Sequence, residues 1–550
     1  MLLLDWIVLG IFCLSLVAVI IWAMRSKDNT SADYFLAGRD ATWVAIGASI
    51  FASNIGSEHL VGLAGAGASS GMAMAHWEMH GWLILILGWL FVPLYERSGV
   101  FTMPEFLEKR YNKQSRSFLS IISLVSYVLT KVAVTVYAGG VVFKSVFGID
   151  SIWGIDFFWI SAIGLVVITG IYTTLGGMKA ILWTSVIQTP VLLLGSIAVL
   201  VMGLIKVGGW DEMMHICRSV PVNDFGDSMV HLIRSPKDPE YPWTGVILGS
   251  AIIGFWYWCT DQYIVQRVLS GRNQKESRRG SIFGAYLKLT PVFIFLIPGM
   301  IAYALNQKGL LHLESSDAAF ATMVKELLPI GFKGLVVGGL LAALMSSLAS
   351  LFNSSATLFT IDFYQKYKPQ APEKELVRVG RIATVVVVIL GILWIPVMKG
   401  LGKVLYAYLQ DVQSLLAPGI AAVFLLGIVS KKTTPTAGFT GLVAGFVLGM
   451  LRLGLKIFSG SLNPDTTFYQ IFVGTNWLHY EIALFFFVIV LIVVVSYFTK
   501  RADESQIKSL VIGSGTAEQR AVTRASWNYW DIIHTVIILA IITAFYIYFW

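Results

Sequence analysis

Long apolar runs recur along the whole chain, and they constrain its fold more than any other feature. Fourteen stretches between residues 4 and 549 are apolar over about 20 residues each, the length that a helix needs to cross a bilayer. Only 13% of the 550 residues are charged and 56% are hydrophobic, whereas soluble domains carry about 25% charged residues. The sequence therefore predicts an all-α integral membrane protein with about 14 transmembrane helices, and it excludes a large soluble enzyme.

The N-terminal apolar run is predicted to be a retained span. It has no basic start and no small-residue cleavage site, and it is longer than the apolar region of a signal peptide. The three cysteines, Cys13, Cys217 and Cys259, are far apart and show no CxxC spacing. They indicate neither a metal site nor a disulfide framework.

Basic residues predict the orientation in the membrane. With the N-terminus outside and the loops on alternate sides, the inside loops hold 26 of the 40 Lys and Arg residues, and the outside loops and helix ends hold ten. Cytoplasmic loops are enriched in Lys and Arg. We therefore expect a multi-pass protein of the cytoplasmic membrane with both termini outside. In a membrane protein the net charge of +8 is explained by this distribution, so no nucleic-acid partner is expected.

Two of the predicted spans are interrupted by polar residues. The second contains "ASIFASNIGSEHLVGLAGAGASSG" and the seventh contains "GSAIIGFWYWCTDQ". Because they are five spans apart, they cross the membrane in opposite directions. Interrupted helices at matching positions of two inverted five-helix repeats indicate the binding site of a transporter. The predicted organisation is an extra N-terminal helix in 1–25, a first repeat in 42–206, an inverted second repeat in 243–429 and three C-terminal helices in 434–550.

Several polar side chains lie inside the apolar runs. A charged group at mid-membrane costs about 2.5–3.5 kcal/mol on insertion scales, so such residues are candidates for function. Those in this chain are His59, Glu78, Lys288 and Gln410. Each also has a structural interpretation. His59 could bond to a carbonyl, and Glu78 could mark the membrane interface. Lys288 could reach the inner surface, and Gln410 could form an interhelical hydrogen bond.

Together these groups favour a polyhydroxylated ring as the ligand. Sugar hydroxyls both donate and accept hydrogen bonds, and the C–H face of the ring stacks on an aromatic side chain such as Tyr257. A polar site of this kind discriminates strongly, because a wrong ligand leaves buried groups unpaired. An amino acid would instead require exposed helix N-termini for its carboxylate. We expect Trp256 to pack elsewhere. Asp261 is predicted to be either an ion-pair partner of a basic group near the inner face or a contact of the substrate, and the ion pair is favoured.

A second cluster contains Ser346 and Ser347, deep in the predicted ninth span. Serine pairs in membrane helices often bond only to their own helix. Sodium, however, is a hard cation that prefers oxygen ligands, and two hydroxyls with free carbonyls from an interrupted helix would bind it. The segment Ala52–Ile55 supplies such carbonyls. The serines therefore predict either helix-internal bonds or a sodium site.

Six motifs in the chain resemble the solute:sodium symporter family, and the resemblance runs from about residue 3 to the last span. They are "ADYFLAGRD", "GASIFASNIGSEHLVGLAGAGASSG", "TMPEFLEKRY", "YTTLGGMKAILWTSVIQT", "WYWCTDQYIVQR" and "MSSLASLFNSSATLFTIDFY". "WYWCTDQ", and the "GSEH" that follows "ASN", are similar to the sodium/glucose cotransporter branch. The resemblance implies a LeuT-like fold of two inverted five-helix repeats with flanking helices. It also implies sodium-coupled symport of a glucose- or galactose-like monosaccharide into the cell by alternating access.

The resemblance also implies roles for individual residues. Sodium, the co-transported ion, would take carbonyl oxygens from Ala52, Ile55 and Ala343 and hydroxyls from Ser346 and Ser347. The sugar would receive hydrogen bonds from Asn54, His59, Glu78, Lys288 and Gln410. Tyr257 would stack on the sugar as the inner gate, with Trp258 alongside.

Two positions depart from the family pattern. Members with a further sodium site carry aspartate where this chain has Ser185, so we expect one sodium ion per sugar. Gly254 occupies a position that is often polar in sugar carriers, and this difference is expected to alter sugar preference.

Three alternatives remain open from the sequence. A sodium-coupled symporter with the same fold could carry myo-inositol, an acidic sugar or an amino acid. A transporter-like membrane sensor usually has a cytoplasmic signalling domain, and the longest inner segment here, 499–528, is short. A sugar-modifying enzyme would need an acid/base pair with a nucleophile, so no enzyme activity is expected.

Overall fold

The protein is almost entirely helical in a computed structural model that describes residues 2–25, 29–56, 58–401 and 405–550. In these ranges eleven helices are long and apolar enough to cross a membrane. They are Leu3–Met24, Gly71–Ser98, Lys113–Lys144, Phe157–Val207, Gln274–Gln307, Phe332–Tyr367, Glu373–Pro396, Val412–Val429, Pro435–Ile457, Trp477–Phe498 and Tyr529–Tyr548. The first of them lies within 1–25, where the sequence predicts an extra N-terminal helix, and the retention of that helix stays a prediction.

Shorter elements connect these helices or lie beside them. They include the helices Ser31–Leu36, Trp43–Asn54, Ala64–Ser69, Met103–Arg110, Trp210–Arg218, Trp243–Phe255, Gln262–Leu269, Ala319–Leu327 and Ala517–Ala525. One antiparallel ribbon pairs Ser151–Ile152 with Ile155–Asp156.

The longest helix, Phe157–Val207, is bent. Its 51 residues far exceed the roughly 20 residues of one membrane crossing. At Gly177 the backbone leaves the helical region, with φ 51° and ψ −151°. A Cβ atom there would lie 2.5 Å from the carbonyl oxygen of Tyr34, so both the conformation and the close contact require glycine. Because one long helix bends and two further helices are interrupted, the count of about 14 spans stays a prediction.

The first interrupted helix runs from Trp43 to Asn54 and resumes at Glu58. Ile55 has extended backbone angles, and the segment Glu58–Leu63 then forms a π-helix. Side chains from other helices bond to the backbone at the interruption: the hydroxyl of Ser347 donates to the carbonyl of Ile55, and that of Tyr263 donates to the carbonyl of Ser53. Irregular backbone inside a membrane protein is tolerated where the protein provides such partners.

The second interrupted helix comprises Trp243–Phe255, a π-helical turn at Trp256–Thr260, and Gln262–Leu269. The interruption is at Asp261, which has extended backbone angles, and its carboxylate accepts a hydrogen bond from the backbone N–H of Tyr263. The carbonyl of Cys259 accepts a 2.6 Å hydrogen bond from the hydroxyl of Tyr95. The predicted interruptions of both helices therefore lie where polar residues enter the apolar runs.

Glycines bring the continuation of the first interrupted helix, Ala64–Ser69, into backbone contact with Gln274–Gln307. A Cβ atom at Gly67 would lie 2.1 Å from the carbonyl oxygen of Leu296, and one at Gly299 would lie 2.0 Å from that of Ala64. Small residues allow membrane helices to approach this closely.

Hydrogen bonds and an ion pair hold the segment after Val207 against neighbouring parts of the chain. The guanidinium of Arg234 donates to the carbonyl of Ser70, and the N–H of Met72 donates to the carbonyl of Met229 over 2.7 Å. Arg234 also lies 3.7 Å from Asp238. Burial raises the pKa of this carboxyl, but hydrogen bonds from the N–H of Tyr241, from Asn223 and from the N–H of Glu240 outweigh it and leave the pKa below its usual value.

Candidate functional site

A cavity of about 500 Å³ lies between the two interrupted helices, and we call it the larger cavity. Its polar and aromatic lining includes Asn54, Glu58, His59, Trp77, Glu78, His80, Tyr257, Trp258, Lys288 and Gln413. Six of the seven residues predicted to bind the sugar therefore lie around one cavity.

Glu78 is the centre of the polar network in this cavity. One of its carboxylate oxygens lies 2.5 Å from Nζ of Lys288, and the other lies 3.4 Å from Nε2 of His59. The same histidine nitrogen lies 3.3 Å from the amide nitrogen of Asn54. All four side chains are buried. Lys288 therefore does not reach the inner surface but pairs with Glu78, a charge-assisted contact that holds both groups at the cavity wall.

Some polar atoms of the lining have no hydrogen-bond partner in the described ranges. They are Nδ1 of His59, Nε2 of His80 and Nε1 of Trp77. A buried polar group without a partner is costly, by about 1–3 kcal/mol. Together with the Glu78 network, these atoms offer several donors and acceptors to a polar ligand.

The last two residues of the "WYW" motif line the larger cavity, and the first does not. Tyr257 and Trp258 border the larger cavity, with ring centroids 4.9 Å apart and planes at 87°. Lys288 Nζ lies 5.5 Å from the centre of the Trp258 ring. Trp256 instead packs with its ring centre 5.3 Å from Nζ of Lys131, and it is not part of the cavity lining.

Gly254 lies opposite His80. A Cβ atom at Gly254 would lie 2.7 Å from Nδ1 and Cε1 of His80 and 2.4 Å from Cδ1 of Leu83. The imidazole thus occupies the space that a side chain at position 254 would take. The sequence singled out Gly254 but missed His80, whose position two residues after Glu78 was the available signal.

The predicted sodium ligands lie where the first interrupted helix meets Phe332–Thr357. The hydroxyl of Ser347 lies 3.0 Å from the carbonyl oxygen of Ile55 and 3.0 Å from that of Ser53. The hydroxyl of Ser346 is buried and has no partner in the described ranges. Ala52 and Ala343 are buried in the same two helices. This oxygen-rich set suits a hard cation, and it includes the Ser53 carbonyl, which the sequence did not single out.

A second buried ion pair lies beside the interruption at Asp261. The carboxylate of Asp261 lies 2.7 Å from Nζ of Lys131 and accepts a hydrogen bond from the hydroxyl of Tyr127. The rings of Tyr127, Trp256, Tyr257 and Tyr263 surround the same ammonium group at 4.8–5.3 Å. The sequence predicted an ion pair for Asp261 but not its partner. A lysine in mid-span, which needs a counter-charge, was the available signal.

The side chain of Gln410 lies outside the described residues, so its predicted role stays a prediction. Gln413, on the same helix Leu405–Val429, borders the larger cavity. Residues three apart lie on one face of a helix, so the spacing could have indicated Gln413 as well.

The hydroxyl of Ser185 donates to the carbonyl of Ile181, one turn earlier in its own helix, over 2.7 Å. The hydroxyl hydrogen of Ser185 therefore bonds within its own helix. The position supplies no carboxylate for a further sodium site.

Comparison with solved structures identifies the fold. The structure of a substrate-bound, outward-open Na⁺-coupled sialic acid symporter aligns with a TM-score of 0.74 over 92% of this chain and 99% of that chain, at 20% identity. A nucleobase-cation symporter in a closed conformation aligns with a TM-score of 0.50 at 13% identity. The all-α, LeuT-like fold is thereby confirmed.

The sequence comparisons are more specific. The profile of the sodium:solute symporter family matches residues 34–445. Sodium/glucose cotransporter 1 of Ovis aries is 38% identical over 529 residues, which are 90% of this chain and 79% of the relative. Sodium/myo-inositol cotransporter 2 of Mus musculus is 35% identical over 534 residues, which are 92% and 78% of the two chains. The chain belongs to the sodium:solute symporter family, as its motifs indicated.

Proposed function

We propose that this protein is a secondary active transporter that couples the entry of sodium to the entry of a monosaccharide such as glucose or galactose. The observation that carries the proposal is the Glu78–Lys288–His59 network, which faces Tyr257 across the larger cavity. Relatives named sodium/glucose cotransporters support it. Transport breaks no covalent bond, so the site is a binding site and not a catalytic one.

In this proposal the sugar hydroxyls bond to the polar wall of the cavity. Glu78 accepts hydrogen bonds, Lys288 donates them, and Asn54 and His59 do either. Tyr257 and Trp258 contact the apolar face of the sugar ring. Gln410 stays in the proposed set from the family resemblance, and Gln413 joins it because it borders the cavity.

Sodium binds beside the cavity rather than in it. Its proposed ligands are the carbonyls of Ala52, Ile55 and Ala343 and the hydroxyls of Ser346 and Ser347. The carbonyl of Ser53, 3.0 Å from the Ser347 hydroxyl, is a further candidate. Sodium would take the place of the hydrogen bonds between the Ser347 hydroxyl and the carbonyls of Ser53 and Ile55. Binding would therefore fix the first interrupted helix against Phe332–Thr357.

Alternating access follows from this arrangement. Sodium binds from outside and shifts the population toward a sugar-ready state. The two repeats, 42–206 and 243–429, then rock against each other, Tyr257 moves, and both solutes leave on the inside. The proposed orientation, with both termini outside, is supported by the 26 to 10 distribution of basic residues.

A second candidate cargo is myo-inositol. It is a ring that carries hydroxyls and would use the same network, and a sodium/myo-inositol cotransporter is 35% identical to this chain. Discrimination depends on hydroxyls that one ligand has and the other lacks. Gly254 is the position in this cavity that departs from the family pattern, and the imidazole of His80 occupies the space that a side chain there would take.

Counterflow of labelled sugar tests the proposal. Purified protein in liposomes preloaded with unlabelled glucose should accumulate external labelled glucose when sodium is present and not when choline replaces it. Galactose, myo-inositol, a sialic acid and an amino acid, each as a competitor, identify the cargo. Sodium-dependent counterflow of labelled myo-inositol in liposomes preloaded with myo-inositol, without counterflow of glucose, would replace the sugar with the polyol. The absence of counterflow for every solute would contradict transport and favour a sensor.

A further inference from the structure

A second, smaller cavity of about 310 Å³ adjoins the larger one, and Glu58 borders both. The residues that the two linings share are Glu58, Tyr257 and Gln413. The smaller cavity is also bordered by Ser347, the proposed sodium ligand, and by Lys131. Glu58 is thus the carboxylate that borders both the sugar cavity and the cavity next to the proposed sodium site.

The carboxylate lies close to the serine hydroxyl. A Cβ atom on Gly56 would lie 2.6 Å from Oε2 of Glu58 and 3.1 Å from Oγ of Ser347. The two oxygens are therefore at most 5.7 Å apart, the sum of those two distances. A hard cation bound between oxygen ligands at about 2.3–2.6 Å spans a gap of nearly this size.

The charged residues around the two cavities include both signs. Glu78 is paired with Lys288, and Asp261 is paired with Lys131, so these four residues together are neutral. The Nε of Arg267 donates to the hydroxyl of Ser53 over 3.0 Å. Its positive charge would repel a cation bound near the carbonyl of Ser53. The carboxylate of Glu58, on the border of the smaller cavity beside Ser347, counters this repulsion.

Glu58 is also the covalent neighbour of a proposed sugar ligand. His59 follows it in the π-helical segment Glu58–Leu63 and lies 3.4 Å from Glu78. Consecutive residues in a helix point in different directions, so Glu58 can turn toward sodium while His59 faces the sugar. A cation that fixes the carboxylate therefore also fixes the imidazole.

We propose that Glu58 is the positioning residue through which bound sodium raises the affinity for sugar. The inference rests on the proposed function and adds the residue that links the two solutes. With sodium bound between Glu58 and Ser347, the segment that starts at Glu58 is held, and Asn54 and His59 are held in the sugar-ready arrangement. Coupling between two ligands is reciprocal, so sugar must raise the affinity for sodium by the same factor.

Equilibrium binding tests this role separately from transport. Labelled glucose is bound to purified wild-type protein and to Glu58→Gln in sodium and in choline. We expect sodium to tighten sugar binding at least tenfold in the wild type and less than threefold in Glu58→Gln. The affinities in choline should agree within threefold, because Glu58 acts through sodium. Glu58→Asp keeps the charge and should recover part of the effect.

Gly56→Ala is a second, independent variant. Its added methyl group would press on both the Glu58 carboxylate and the Ser347 hydroxyl, so it should also weaken the sodium effect on sugar binding. If Glu58→Gln does not fold, Glu58→Asp and Gly56→Ala decide the question. Glu212→Gln is the control: it also removes one negative charge, from an outer residue paired with Lys308, and it should retain the wild-type ratio.

The outcomes distinguish the two proposals. If sodium tightens sugar binding in Glu58→Gln as much as in the wild type, the role of Glu58 is overturned and the proposed function stands. The same result in Gly56→Ala is decisive if Gly56→Ala is the variant that folds. A wild-type protein that binds no sugar in either salt would overturn both. A loss of sugar affinity in choline as large as that in sodium would make Glu58 a direct sugar ligand, which also contradicts the proposal.

Discussion

At the residue scale, several buried charges form ion pairs that reach across long sequence separations. Lys131 and Asp261 lie 2.7 Å apart, although 130 residues separate them. Their side chains are 8% and 3% exposed. Removing one partner of a buried pair leaves an uncompensated charge, which costs about 3–5 kcal/mol.

This pair gives the first prediction. Asp261→Asn should lower the free energy of unfolding by about 3–5 kcal/mol, because Lys131 then keeps its charge among four aromatic rings without a carboxylate. The double variant Lys131→Met/Asp261→Asn should recover most of that loss. Thermal unfolding of the purified variants, followed by tryptophan fluorescence, measures both. A double variant that is less stable than Asp261→Asn would contradict the pairing.

The adjacent rings of Trp256 and Tyr257 give the second prediction. Tyr257 borders both cavities, whereas Trp256 packs on Lys131. Tyr257→Ala should abolish sodium-dependent uptake while leaving the yield of folded protein near that of the wild type. Trp256→Ala should mainly reduce the yield. Uptake per molecule of protein recovered in the membrane separates the two effects, and wild-type uptake by both variants would place the gate elsewhere.

At the scale of elements, two interrupted helices define the site. The sequence predicted their positions, because polar residues inside apolar runs are visible without a structure. It did not predict the π-helical turns Glu58–Leu63 and Trp256–Thr260. Such turns depend on which neighbouring side chains bond to the backbone, and those neighbours come from distant parts of the chain.

Distance along the chain also explains what the sequence missed in the site. Glu78, His59 and Lys288 were identified as polar residues in apolar surroundings, but their mutual pairing could not be read from spacing. The Ser53 carbonyl could not be identified either, because every residue has a carbonyl and only the contact with Ser347 distinguishes this one. His80 was missed because a histidine beside Glu78 looks like part of the helix end.

Close helix packing gives the third prediction. Gly67→Ala would place a methyl group against the carbonyl of Leu296, so it should lower the free energy of unfolding by about 1–3 kcal/mol through overpacking. Gly164→Ala is the matched control, since a Cβ atom there meets nothing within 4 Å. Thermal unfolding should show a loss for Gly67→Ala alone. Equal stability of the two variants would contradict backbone contact at Gly67.

At the scale of the whole molecule, the energy of coupling depends on how many sodium ions move per sugar. One charge that crosses 100 mV contributes about 2.3 kcal/mol, and a tenfold sodium gradient adds about 1.4 kcal/mol. Together these supply several-hundred-fold accumulation of sugar per sodium ion, by the rule of about 1.4 kcal/mol per tenfold. A single ion is therefore sufficient for concentrative uptake.

The neutral Ser185 gives the fourth prediction, a coupling of one sodium ion to one sugar. The position that would supply the carboxylate of a further site carries a hydroxyl bonded to Ile181. The sodium dependence of uptake should have a Hill coefficient near one, and the current should carry one charge per sugar. A coefficient near two together with two charges per sugar would contradict this stoichiometry.

The central claim is that sodium and sugar cross the membrane together, each bound at its own neighbouring site. Simultaneous measurement of radioactive sodium and labelled glucose entering proteoliposomes at a clamped potential tests it most directly. We expect sugar to increase sodium entry in a constant ratio, sugar to concentrate above its external level, and Glu78→Gln to abolish both fluxes. Sodium entry that is unaffected by sugar, or glucose entry that is equal in sodium and in choline, would contradict the account.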